Sequence, residues 1–190
     1  MKAVAAVLAT IGLVSTLSAH QEQNSPDVPK TKLEAFDAVS GFVIIRGFTA
    51  IGKVDGQLQT SVEIESKEFT LAATGKKEYG ITIQVKQAAR IEREHTSHVD
   101  YEEIESLLKG IDYIAKIDAT VTKFAGFQAD YKTKDDLSIS TFSSANGVMV
   151  AVTSGRIGAA TAYVKLSDLQ LLRELIAKAK ATIDAVKTVG

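Results

Sequence analysis

The chain contains no cysteine, and that absence removes several options at once. There is no disulfide framework, no thiol nucleophile and no lipidated N-terminal cysteine. A cysteine-free protein outside the cytoplasm must be held together by its apolar core. Proline is almost as scarce, and both copies, Pro26 and Pro29, lie in one polar stretch near the N-terminus. Charge of one sign is missing too: 22 basic residues stand against 23 acidic, interleaved, for a net charge of −1. That balance argues against nucleic acid or an anionic membrane surface as partner, since both select concentrated positive charge. No apolar run approaches the roughly 20 residues of a membrane-spanning helix, so no transmembrane anchor is expected. The chain also lacks a Gly-x-Ser-x-Gly elbow, a glycine-rich phosphate loop and an HExxH pair. No catalytic signature and no cofactor motif is left.

What is present begins with "MKAVAAVLATIGLVSTLSA", where Lys2 precedes a short apolar run that ends in small residues. This is the order of a secretory signal peptide over residues 1–19. It implies a secreted or periplasmic protein. Residues 20–40, polar and carrying both prolines, read as a flexible tether, within which "LEAFDAV" permits either a short helix or an extended lead-in. Residues 41–190 read as a single domain.

In that domain "FVIIRGFTAIGKV" is β-branched and aromatic, with Gly47 and Gly52 as bends or bulges. "SVEIE" and "ITIQV" alternate with period two, which places Val62 and Ile64, and then Ile81, Ile83 and Val85, on one face. Two later segments change to helical spacing. Ile104, Leu107, Leu108, Ile111 and Ile114 form one stripe; Leu169, Leu172, Leu175, Ile176, Ala179 and Ile183 form another. Each opens on a capping pattern, Asp100 with Glu103 and Ser167 with Gln170.

The chain also repeats itself. "YGITIQV" aligns with "NGVMVAV", and "VDYEEIESLLKGI" with "VKLSDLQLLRELI", pairing Ile104 with Leu169, Leu107 with Leu172 and Ile111 with Ile176. Two ββββα units are expected, over about residues 58–118 and 124–190. The fold class is therefore α+β: an antiparallel sheet of about eight or nine strands, open or closed into a barrel, carrying two amphipathic helices.

Three groups of residues could carry chemistry. The first is "EHTSHVDYEE", which holds His95 and His98, candidate metal ligands together with neighbouring carboxylates. On a regular strand the two face opposite ways, and the stretch also reads as a strand-to-helix junction. The second is Arg90 with Arg156, at matched hairpin loops, which could grip an anionic ligand. The third is His20, which a cut after Ala19 would make an N-terminal copper chelator. "KTKDD", Lys132 to Asp136, reads as a solvated hairpin. Together these point to an exported, non-catalytic binding or accessory protein for a protein or small-molecule ligand. One alternative is a carrier holding a small apolar molecule in a cavity between sheet and helices, which "FVIIRGF" and "VMVAV", apolar on both faces, permit. The other is a metal-dependent enzyme using His95 and His98.

Overall fold

The computed structural model describes residues 28–88, 91–145 and 147–189. The expected signal peptide, His20 and Arg90 lie outside the described residues. A short helix, α1 (Lys32–Asp37), is followed by strands β1 (Ile44–Asp55), β2 (Thr60–Leu71), β3 (Lys76–Ala88) and β4 (Glu92–Asp100) and helix α2 (Tyr101–Ile114). After a 3₁₀ turn at Ala119–Val121 come β5 (Gln128–Lys132), β6 (Ser138–Ser144), β7 (Gly147–Ser154), β8 (Ala160–Lys165) and helix α3 (Leu166–Val189).

The fold is α+β and repeats ββββα twice. The eight strands form two antiparallel meanders of four, β1-β2-β3-β4 and β5-β6-β7-β8, instead of one continuous sheet. An isolated bridge, Gln57 to Tyr163, ties the β1–β2 turn to β8. The matched helix positions do the same work in each unit. Ile104, Leu107 and Ile111 of α2 and Leu169, Leu172 and Ile176 of α3 are all buried in one cluster.

The alternating strands supply the sheet side of that cluster. Val62, Ile64, Ile81, Ile83 and Val85 of the first unit meet Val150, Val152 and Val164 of the second. The helices interlock the units. α3 packs across β1, β2 and β3 as well as β7 and β8, while α2 packs against β5 and β6 as well as β3 and β4. At Gly52, where β1 shifts register by a bulge, an added Cβ would lie 2.6 Å from Leu175 Cδ2. The bulge expected from this glycine is present, and it also lets α3 come close. Gly47 pairs regularly with Glu68.

The capping patterns resolve differently from the sequence reading. Asp100 precedes α2 but its side chain makes no cap to it. Its carboxylate accepts the Lys32 backbone N–H at 2.9 and 3.2 Å, at the start of α1. Helix α3 begins at Leu166, before Ser167, and it is Asp168 Oδ2 that reaches back to the Lys165 N–H at 3.2 Å. A buried acid before a helix can serve any nearby N–H, and here a second helix offers a better-placed one.

Within the stretch expected to be a tether, residues 31–38 form a docked element. Thr31 and Glu34 make a reciprocal capping box. Leu33 and Phe36 are buried against Phe69, with Ile44 and Leu71 alongside. Leu33 sits on Gly80, where a Cβ would stand 2.5 Å from Leu33 Cδ1 and 2.4 Å from the Val99 carbonyl oxygen. By contrast "FVIIRGF" is largely at the surface: Phe42, Val43, Ile45 and Phe48 are exposed along the outer edge of the first sheet. No helix among the described residues is long and apolar enough to cross a membrane.

Candidate functional site

β4 is an edge strand, so alternate N–H groups on its outer side have no ladder partner. The second unit supplies one. The turn between β5 and β6 closes with the Thr133 N–H donating to the Leu137 carbonyl at 2.9 Å, and Asp136 takes a left-handed φ of 50°. This aims Asp135 inward, where Oδ2 accepts the His98 backbone N–H at 2.7 Å and lies 3.4 Å from His98 Nδ1. The neighbours on the turn grip as well. The Lys134 N–H donates to Glu103 Oε1 at 2.9 Å, and Asp136 pairs with the Lys30 ammonium. "KTKDD" is thus a clasp between units, with Asp135 buried, and not the solvated hairpin its charge suggests.

His95 makes the companion contact. Its Nδ1 lies 2.8 Å from Ser154 Oγ at the end of β7, and that hydroxyl lies 2.7 Å from Ser97 Oγ. The ring lies over Gly155, where an added Cβ would fall 2.6 Å from its Cδ2 and Nε2. Gly155 also has a φ of 86°, so close approach and backbone conformation both call for glycine. Ser154 and Ser97 are fully buried. A serine that no substrate can reach is not a nucleophile, so this serine–histidine pair ties β4 to β7.

As strand alternation requires, His95 and His98 engage different partners on opposite sides of β4. Because β4 is an edge, one open cleft of about 690 Å³ wraps round it and touches both histidines. α1 contributes Glu34 and Asp37 to this cleft, and the loop after β7 contributes Arg156 and Ile157 at its rim. Arg156 is exposed and makes no ion pair among the described residues. The structure thus gathers three of the five residues singled out in the sequence, His95, His98 and Arg156, into one cleft; the other two, His20 and Arg90, lie outside the described residues. Glu34, Asp37 and Asp135 escaped the sequence reading; the Thr-x-x-Glu spacing behind the Thr31–Glu34 capping box is a signal that could have marked α1, which "LEAFDAV" alone left open.

The floor of the cleft is acidic. One ligand atom each from Glu34, His98 and Asp135 falls within 4.8 Å of the others, and Asp37 Oδ2 stands 3.8 Å from His98 Nε2. Burial alone would raise the Asp135 pKa. Hydrogen bonds from the His98 side chain and backbone outweigh it and hold the carboxyl below its usual value. The contact therefore stabilises the fold above the ordinary carboxylate range and is lost as pH falls through the depressed value.

Glu103, behind the clasp, goes the other way. Burial raises its pKa more than the Lys134 N–H and charge lower it, and Asp100 and Asp135 add repulsion. Its Oε2 is buried with no hydrogen-bond partner among the described residues. A carboxyl with a raised folded-state pKa opposes folding when ionised and is relieved as pH drops through that value. Glu103→Gln is therefore expected to stabilise the protein at pH 7 by about 1 kcal/mol, the scale of an unsatisfied buried acceptor. The gain should shrink towards pH 4.5, the carboxyl's ordinary value. Urea denaturation at the two pH values checks this; a variant no more stable than the parent at pH 7 contradicts it.

The chain matches no protein-family model, no curated protein and no solved structure.

Proposed function

We propose that this is an exported, non-catalytic binding or accessory protein whose ligand surface is the cleft around the β4 edge, and that the ligand is small and carries positive charge. The observation behind this reading is convergence. α1, β4, the β5–β6 turn and the loop after β7, drawn from both units, all meet at one cleft. Its acidic floor suits a cation. Arg156 at the rim suits a ligand that also carries an anionic group, or a counter-ion. Export rests on the N-terminal pattern ending at Ala19, and a mature N-terminus well away from His20 would remove that part of the reading. The carrier alternative is less favoured on its "FVIIRGF" part, because Phe42, Val43, Ile45 and Phe48 lie exposed along an edge.

The test is a thermal-shift and calorimetric titration of the full chain with spermidine, arginine and divalent cations. At least one class should bind, and Ala38→Arg should weaken it at least tenfold. Ala38 is exposed and lines the cleft, so the change adds bulk and positive charge there with little demand on the core. No binding by any class, or binding unaffected by that change, overturns the reading.

A further inference from the structure

We propose that Glu34, His98 and Asp135 are the protein ligands of a first-row divalent transition-metal ion held at the floor of the cleft. The inference rests on the reading of the cleft as a ligand surface and names the ligand class.

The first argument is preorganisation. Each carboxylate has one oxygen already fixed. Glu34 Oε2 accepts the Lys30 N–H at 2.8 Å and the Thr31 N–H at 2.9 Å; Asp135 Oδ2 accepts the His98 N–H. Among the described residues, no N–H donor reaches the second oxygen of either, and the two carboxyl groups lie within hydrogen-bonding reach of each other. Three ligand atoms within 4.8 Å need only side-chain contraction to reach the spacing of about 3.4 Å set by tetrahedral bonds near 2.1 Å. Beyond the ligands, Asp37 Oδ2 lies 3.8 Å from His98 Nε2. That is beyond hydrogen-bond distance, and on metal binding Asp37 would have to close the gap to take the far N–H, a contact that orients the ring and makes the metal-facing nitrogen more basic.

The second argument is uncompensated charge. The cations around the floor have other partners: Lys30 pairs with Asp136, Lys32 with Glu102, Arg46 with Asp37 and Lys134 with Asp100. Arg156, at the rim of the same cleft, is the exception and among the described residues pairs with neither Glu34 nor Asp135. None forms a salt bridge with Glu34 or Asp135. Burying anionic groups without a counter-charge is costly, and the buried, unpartnered Oε2 of Glu103 shows the same excess of acceptors just behind. One imidazole and two carboxylates form a mixed N/O set suited to Zn²⁺ and its neighbours, more than to Mg²⁺ or Ca²⁺. The open cleft leaves coordination positions free for water or an exogenous group.

The experiment is Zn²⁺ calorimetry on the full chain after chelator treatment. One ion per chain is expected. His98→Ala and Glu34→Gln should each weaken binding at least tenfold, and Asp37→Asn roughly tenfold through the ring orientation. His20→Ala should change it less than twofold. Glu34→Gln keeps an oxygen for the α1 cap, so a loss with an unchanged melting curve is attributable to the ligand; it decides the matter if His98→Ala fails to fold. No binding at 0.5 mM Zn²⁺ (about five-hundredfold above a 1 μM site), binding retained in both His98→Ala and Glu34→Gln, or binding lost in His20→Ala would each overturn the proposal. A negative zinc result with spermidine or arginine still sensitive to Ala38→Arg leaves the cleft reading standing without the metal. Silence from every probe sinks both.

Discussion

Ile176→Ala is expected to lower the unfolding free energy by about 2–5 kcal/mol and to do so for both units in one transition. Ile176 is fully buried and lies in a single cluster that runs through both units. Its helix belongs in sequence to the second unit yet covers the first sheet: Leu175 reaches Gly52 on β1, and Ser66 Oγ on β2 donates to the Ala179 carbonyl at 3.0 Å. A cavity opened on α3 therefore removes contacts from both sheets. If each unit had its own core, the variant would melt in two steps, with the second unit failing first. Interlocked helices predict instead that amide protection on β2 and on β7 falls together, with coincident transitions by circular dichroism and tyrosine fluorescence. A biphasic melt, or protection lost on β7 alone, would show the units to be energetically separate.

The fold was legible because its signals are local. "SVEIE" places Val62 and Ile64 in the core by alternation alone, and the i, i+3, i+4 spacing from Ile104 to Ile114 identifies a buried helix face without knowledge of what covers it. The repeat carried the same signals twice. The division into two sheets was not legible, since alternation says which face a strand buries and not which strand lies beside it. The cleft was hidden for a related reason. His95 finds Ser154, and His98 finds Asp135, across long stretches of intervening chain, and no periodicity encodes such a meeting. Asp100 misleads because an acid before a helix looks like that helix's cap, and only the docked position of α1 shows whose N–H it accepts. The presence of His95 and His98 in one copy alone now has a physical account: β4 is the edge that the second unit clasps, whereas β8 meets the first sheet through the Gln57–Tyr163 bridge.

Leu33→Ala should detach α1 and with it dismantle the acidic floor of the cleft. The helix is six residues long, far below the length at which an isolated helix holds in water. Its stability comes from docking: two buried side chains, the capping box and the Asp100 carboxylate on the Lys32 N–H. Burial of Leu33 and Phe36 contributes about 1.5–3 kcal/mol each. Ordering six residues opposes this at about 1–2 kcal/mol per residue. The two burials alone do not offset that cost, so docking depends on the capping box and the Asp100 contact as well, and a truncation costing about 2–5 kcal/mol is expected to undo it. Amide protection over residues 33–38 should collapse while β2 and β3 stay protected, because those strands are held by the main core and not by α1. Zn²⁺ affinity should fall at least tenfold, since Glu34 leaves and Asp37 no longer faces His98, although His98 and Asp135 stay in place. Retained protection over 33–38 would show that the caps alone hold the helix. Lost protection with unchanged zinc affinity would show that Glu34 is not a ligand.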